Sequence, residues 1–338
     1  MTGKIDWESL VGRRIKLRDL HILFAVVQSG SMAKAARGLG VSQPAVSEAV
    51  ADLERALGVR LLDRHSHGVE PTIFGAALLK RSTAVFDELK QSVKDIEFLS
   101  DPTRGEVSVG CTDAVAATIL PAIIHRFSQA YPHIVVYVNE LPAPARRNNG
   151  LRERKNDLVL GRWVMPTPRE AIDDDLDVEV LFNERIVVAA GTRSRWMGRR
   201  KIELPELIDE PWVLSPSNTW NYIGTAEAFR TFGLAMPRPR VIAASILLRA
   251  QMVATNQYIS VFFKDSQLQP LINNYPLKVL PVELCAEPQP MVILTLKNRI
   301  LSPVAEKFVE HVRAFVEPHQ ATDAGVSPPV ARAGGVGG

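Results

Sequence analysis

Ser29-Gly30-Ser31-Met32-Ala33-Lys34-Ala35-Ala36-Arg37-Gly38-Leu39-Gly40-Val41-Ser42-Gln43-Pro44-Ala45-Val46-Ser47 is the stretch that decides how this chain is read. Met32, Ala35, Ala36 and Leu39 fall at i, i+3, i+4 and i+7, which lays one apolar stripe along a helix. Leu20, Leu23, Phe24 and Val27 repeat that spacing before it, and Val46, Ala49, Val50 and Leu53 repeat it after. Ser31 and Ser42 stand where a hydroxyl can accept from a free N–H of a first turn, and Pro44 has no N–H to waste there. Gly40 suits the left-handed residue that stops a helix. Two short helices joined through Leu39-Gly40-Val41 form a helix-turn-helix, whose second helix typically enters a DNA major groove.

The segment from Ser29 to Leu57 resembles the N-terminal domain of LysR-type transcriptional regulators. The resemblance rests on Ser29-Gly30-Ser31, Ala35-Ala36, Leu39, the run Val41 to Ser47, Leu53-Glu54 and Leu57-Gly58. Arg60-Leu61-Leu62-Asp63-Arg64 and Pro71-Thr72-Ile73-Phe74-Gly75 look like the family's wing and its exit into a long helix, and thinner likeness extends to about Pro318. It implies a winged helix-turn-helix, a dimerisation helix and a periplasmic-binding-protein-like effector domain of two α/β lobes that the chain crosses between twice. It further implies a homotetramer, built as a dimer of dimers, on an interrupted inverted repeat in double-stranded DNA.

Composition is compatible with this. The 338 residues are 46% apolar and 23% charged, with a formal net charge of +3. A basic DNA reader joined to a neutral sensor domain averages out this way. No apolar run approaches the roughly 18–20 residues of a membrane span, and residues 1–16 lack the apolar core of a signal peptide. Two cysteines, Cys111 and Cys285, are too few for a disulfide framework. The expectation is a cytoplasmic protein with no cofactor.

Along the chain, residues 1–16 read as an extension and 17–72 as the DNA-binding unit. From 73 to 100, Leu78, Ser82, Val85, Leu89, Ser92, Ile96 and Leu99 alternate spacings of four and three, a coiled-coil seam carrying two serines. A helix packed on its own domain is the alternative; the family resemblance implies a dimerisation helix. Asp101-Pro102-Thr103-Arg104-Gly105 breaks it. Residues 101–318 then alternate strands with helices, which predicts an α/β domain with mainly parallel sheets. Buried strands are expected at Val107–Gly110, Val135–Val138 and Leu158–Leu160. A helix over Ile246–Thr255 is expected, with Leu247, Ala250, Gln251 and Ala254 on one face. The crossings are placed near Phe182–Glu184 and Leu280–Glu283, giving lobe I about 106–182 and 283–318, and lobe II about 183–282. Residues 319–338 lack periodicity and read as a disordered tail.

The third helix should present Ser42, Gln43, Pro44, Ser47 and Glu48 away from its seam. Gln43 can pair with an adenine edge, and Pro44 can touch a thymine methyl. Ser42 and Ser47 suit phosphate or base contacts. Family members often carry Arg after the second serine; Glu48 stands here, so a guanine-reading Arg cannot be carried over. Lys34 and Arg37 suit phosphates or a solvated face. The resemblance points Arg64 of the wing to a minor-groove or flanking-phosphate contact. His65 and His67 lack a carboxylate or cysteine nearby to complete a metal set.

In doubly wound sheets ligands gather at strand C-termini beside helix N-termini. Thr112 ends the first strand of the sensor domain and matches the family's effector-binding hydroxyl; capping its own helix is the alternative. Asp113 suits an N-cap, and Thr118 is a secondary candidate. Arg162 suits a bidentate grip on a carboxylate or a surface ion pair, and Trp163 an apolar wall. Ser217 and Asn218 face the cleft from the second lobe or are turn residues, and Ser245 would cap the helix at Ile246 and offer N–H groups to an anion. Together they point to a small organic anion as effector. The competing reading is an α/β enzyme or solute-binding protein with an appended helical domain. Against it, the chain has no Gly-x-Ser-x-Gly, phosphate-binding loop or zinc-binding helix motif. Cys111 reads as a buried small hydrophobe.

Overall fold

Helices α1 (Leu17–Ser29), α2 (Met32–Leu39) and α3 (Gln43–Leu57) open the computed structural model, which describes residues 14–65, 68–141, 149–162 and 175–323. The chain divides into two compact units, Met1–Lys90 and Gln91–Gly338. Residues 1–13 of the expected extension, Ser66 and His67 of the wing, Trp163 and the tail from 324 lie outside the described residues.

In the first unit the three seams close one core. Leu23, Val26, Val46, Val50 and Leu53 are fully buried within it. The Ser31 hydroxyl accepts from the Lys34 N–H at 3.4 Å and the Ser42 hydroxyl from the Ala45 N–H at 3.3 Å. Caps of this kind are worth about 1 kcal/mol each. Gly40 sits at φ 67°, and its N–H returns to the end of α2. Strands β1 (Leu62–His65) and β2 (Gly68–Pro71) pair antiparallel as the wing. The Glu54 carboxylate fixes the wing to α3 by accepting from the Leu61 N–H at 2.7 Å and the Leu62 N–H at 3.3 Å.

Helix α4 (Ile73–Ser100) starts from a tight junction. The Thr72 hydroxyl donates to the Arg60 carbonyl at 2.8 Å and accepts from the Gly75 N–H at 3.1 Å. A β-carbon on Gly75 would lie 2.0 Å from the Leu61 carbonyl oxygen, so only glycine fits. Farther along, Ser82 is buried, whereas Val85, Leu89, Val93, Ile96 and Leu99 are exposed.

The second unit holds two sheets. The first contains β3 (Arg104–Cys111), β4 (His133–Glu140), β5 (Leu158–Arg162), β6 (Leu176–Glu184) and β12 (Gln289–Leu296), in the order β4-β3-β5-β12-β6. The second contains β7 (Ile186–Gly191), β8 (Trp212–Leu214), β9 (Pro239–Ile242), β10 (Ile259–Phe263) and β11 (Leu277–Val279), in the order β11-β7-β10-β8-β9. Neither is mainly parallel. β12, the strand by which the chain returns to the first sheet, runs antiparallel to β5 and β6, and β7, the strand by which it enters the second, runs antiparallel to β10 and β11. Helices α5 (Asp113–Ala117), α6 (Ile119–Ala130), α7 (Asn149–Arg152) and α11 (Pro303–Asp323) belong to the first lobe, and α8 (Trp220–Thr231), α9 (Ile246–Ala254) and α10 (Gln269–Ile272) to the second.

Four further expectations need correction. β4 is an edge strand with Val135, Tyr137 and Val138 exposed, so it is not buried. The second crossing lies later than Leu280–Glu283, since Leu284 and Ala286 still pack in the second lobe's core. Residues 319–323, expected in a disordered tail, complete α11. Finally, α9 buries Ile246, Arg249, Ala250 and Val253, whereas Leu247 and Gln251 are exposed. An arginine inside the apolar stripe rotates the face that spacing alone suggests.

Candidate functional site

The N-terminal unit presents its polar candidates to solvent. Gln43, Pro44 and Glu48 are exposed on the first turns of α3, Ser47 is half-buried, and Ser42 is exposed while its hydroxyl caps the helix. Lys34 and Arg37 are exposed on α2, and Arg64 is exposed on β1. The helix seams hold this set in place: with Val46, Ala49, Val50 and Leu53 facing inward, the opposite face of α3 must face water.

In the second unit one cavity of about 390 Å³ is lined from both lobes. Lobe I contributes Thr112, Asp113, Thr118, Glu140, Leu141 and Arg162. Lobe II contributes Ser215, Asn218, Thr219, Trp220, Asn221, Arg249, Ser266 and Gln267. Of the residues expected there, Thr112, Asp113, Thr118, Arg162 and Asn218 come together, while Ser217 and Ser245 are not among the lining residues.

Each has a particular local role. Thr112 stands before α5 without its side chain capping that helix, and Thr118 donates to the Ala114 carbonyl. The Asp113 carboxylate reaches across to lobe II and accepts from the Ile246 N–H at 3.0 Å. The Ser245 hydroxyl accepts from the Leu248 N–H at 3.4 Å. The Ile246 and Leu248 amides of α9 are therefore already engaged by the chain's own oxygens, which leaves less of this terminus open to an anion than expected.

Arg162 also departs from expectation. It is the last residue of β5, and its guanidinium pairs with the fully buried Glu184 carboxylate where the chain crosses between lobes. It donates to the Ser266 hydroxyl at 2.7 Å and the Gln289 carbonyl at 3.2 Å, and it stacks 3.3 Å from the Phe263 ring centroid. Glu184 in turn accepts from the Asp265 N–H at 3.0 Å, the Ser266 N–H at 2.9 Å and the Ser266 hydroxyl. Burial pulls the guanidinium below its usual range, and Glu184 offsets part of this. The pair joins the lobes, so the Arg162 charge is already matched.

The cation missed in the sequence is Arg249. It is 2% exposed and donates from Nη1 to the Val261 carbonyl at 2.9 Å. Its Nε is buried with no hydrogen-bond acceptor, and no carboxylate lies within ion-pair distance among the described residues. Burial lowers its pKa to about 10, with the Asp113 charge opposing the shift, so the side chain stays cationic at neutral pH. The Trp220 indole N–H is likewise buried without an acceptor. Cys111, the neighbour of Thr112 in the chain, is fully buried, and burial followed by the Glu140 and Asp113 charges pushes its thiol up to about 11. Cys285 is exposed, and both cysteines are free.

Residues 100–317 match the LysR substrate binding domain, and residues 17–82 match the bacterial regulatory helix-turn-helix protein of the lysR family. The chain belongs to the LysR family of transcriptional regulators. As a LysR-type protein it is a DNA-binding regulator with an effector-binding domain, not an enzyme. It is similar to the transcriptional regulator GbpR of Azospirillum brasilense, 28% identical over 89% of this chain and 86% of that one. It is also 32% identical to TdcA of Escherichia coli (strain K12), over 61% of this chain and 64% of that one. A full-length point variant of OxyR from Pseudomonas aeruginosa shares the fold with a TM-score of 0.59 at 18% identity, covering 90% of this chain and 95% of that chain. The effector-binding domain of QuiR in complex with shikimate matches with a TM-score of 0.51 at 17% identity, covering 64% of this chain and 99% of that domain. No described helix is long and apolar enough to cross a membrane.

Proposed function

We propose that this LysR-type regulator responds to a small organic anion held between the lobes of its second unit. One observation carries the reading. Arg249 places a buried positive charge on the cavity wall, with an unsatisfied Nε and no ion-pair partner among the described residues. A buried unpaired charge is expensive, and an incoming carboxylate supplies both the countercharge and the missing acceptor. Thr112, whose hydroxyl does not cap its helix, receives the effector's polar end from lobe I.

Residues 17–72 read the operator, 73–100 dimerise and 101–318 bind the effector. Gln43, Pro44 and Ser47 face base edges, and Ser42, Lys34, Arg37 and Arg64 serve the backbone or minor groove. The exposed Val85, Leu89, Ile96 and Leu99 of α4 support its pairing with a second copy. The full assembly is a cytoplasmic homotetramer on an interrupted inverted repeat, with half-sites roughly 34 Å apart. Effector binding shifts an equilibrium between lobe arrangements in proportion to its differential affinity for them.

The test is a thermal-shift screen of full-length protein with paired carboxylates and their neutral amides. Carboxylates should stabilise the parent and leave Arg249→Met unchanged; amides stabilising as well as acids would refute the anion reading. On DNA, Gln43→Ala should lose roughly 1–3 kcal/mol of discrimination between sites. Arg64→Ala should weaken all sequences alike and reduce the salt slope by about one. A monomer by light scattering at micromolar concentration would refute the assembly.

A further inference from the structure

The cavity is polar on both walls, but the two walls are polar in opposite senses. Lobe II holds buried donors without acceptors on two of the residues that line the cavity: the Arg249 Nε and the Trp220 indole N–H. Lobe I offers carboxylates: Asp113, which accepts from Ile246, and Glu140 at the end of β4, which is exposed and has no ion pair among the described residues. Arg162 adds no net charge, because Glu184 neutralises it. Arg249 and these two carboxylates line the same cavity, and with Arg162 cancelled by Glu184 behind it the charged groups sum to one negative charge before any ligand arrives. A bare carboxylate would satisfy lobe II and leave the acceptors of lobe I facing apolar carbon. Burying those acceptors without donors carries a desolvation penalty.

We infer that the effector is a carboxylate that also carries hydrogen-bond donors, hydroxyl or ammonium groups, with its carboxylate on the Arg249 side and its donors on the Asp113 and Glu140 side. This rests on the anion reading and narrows it. A cavity of about 390 Å³ accommodates a six-carbon molecule of this kind. Hydroxyls suit a carboxylate wall by donating to it, and an ammonium suits it by cancelling its charge as well.

Four six-carbon probes separate the possibilities by calorimetry on the full-length protein. Hexanoate is an anion without further donors. Gluconate adds hydroxyls, norleucine adds an ammonium, and glucitol carries hydroxyls without the anion. Gluconate or norleucine should bind at least roughly tenfold more tightly than hexanoate. Glu140→Gln keeps an acceptor and removes the charge. It should weaken norleucine by roughly tenfold if the ammonium is the donor, and gluconate by less than about threefold if hydroxyls are. Hexanoate binding as tightly as both donor-bearing acids would overturn the inference and leave the anion reading standing. Glucitol binding as tightly as gluconate would overturn the anion reading instead. Binding by none of the four at ~10 mM would overturn both.

Discussion

Arg249→Met removes a buried cation and keeps a side chain of similar length. In the unliganded protein the guanidinium pKa is about 10, against about 12.5 or more in a free chain. At about 1.4 kcal/mol for each tenfold change in proton affinity, keeping the proton in the folded state costs about 3 kcal/mol at neutral pH. The substitution gives up the hydrogen bond to the Val261 carbonyl, worth about 1 kcal/mol, and the cation–π contact with Phe262, 5.1 Å away, worth roughly another 1 kcal/mol. That carbonyl still accepts from the Asn221 amide at 3.2 Å, so it is not orphaned. Arg249→Met should therefore be more stable than the parent by about 1 kcal/mol without ligand, and should lose its response to carboxylates. The pH dependence has a definite sign. Below about pH 10 both folded and unfolded chains hold the proton, so the full penalty stands. As pH rises through about 10 the folded parent releases the proton while the unfolded chain retains it, and the parent gains stability relative to the variant. Urea unfolding followed by tryptophan fluorescence at about pH 7.5 and about pH 10.5 measures this. A variant less stable than the parent near neutral pH would refute the buried-charge reasoning, and an undiminished carboxylate response would refute the role of Arg249.

Other outcomes follow from neighbouring contacts. Glu184→Ala leaves Arg162 buried and unpaired and should cost about 3–5 kcal/mol in urea unfolding, whereas Glu184→Leu combined with Arg162→Met should cost less than that single change; a double variant worse than Glu184→Ala would disprove the pairing argument. Gly75→Ala drives a β-carbon into the Leu61 carbonyl and should destabilise the N-terminal unit by about 2 kcal/mol or more, read as a lowered thermal midpoint with weakened DNA binding. At about pH 8 a thiol reagent should modify Cys285 rapidly in the native protein and Cys111 only after unfolding, since Cys111 is buried with its thiol held at about 11. Two native thiols reacting at equal rates would contradict that.

The helical head is legible because each of its rules acts locally. Apolar spacing, two serine caps and Gly40 all lie within a few residues of the element they define. The effector cavity is assembled from residues far apart in sequence, and local patterns carry less of it. Thr112 is reachable from its place at a strand end. Arg249 is not, because an arginine at a buried helix position reads as a polar residue and turns the inferred stripe toward Leu247 and Gln251. Arg162 stands out in the sequence, but its partner does not, since Glu184 meets it only once β5 and β6 flank β12. The strands β6, β9 and β11 have no strong alternation to announce them: the exposed positions in β6 include Val178 and Val180, and Ile242 in β9 is exposed.

The place of β12 between β5 and β6 has a consequence for how the protein is made. Glu184 ends β6 and Gln289 begins β12, so about a hundred residues separate their emergence from the ribosome. At roughly 5–20 residues per second this is a delay of order ten seconds. During that interval the whole of lobe II can emerge and close, although it is an insertion within lobe I. Lobe I meanwhile waits with an open slot in its sheet, β5 exposing one unpaired edge and β6 another. Unpaired edges invite pairing with other chains. A chain that terminates before Gln289 should thus carry a folded lobe II beside an aggregation-prone half-sheet, and the segment that completes the older lobe is synthesised only after the younger lobe.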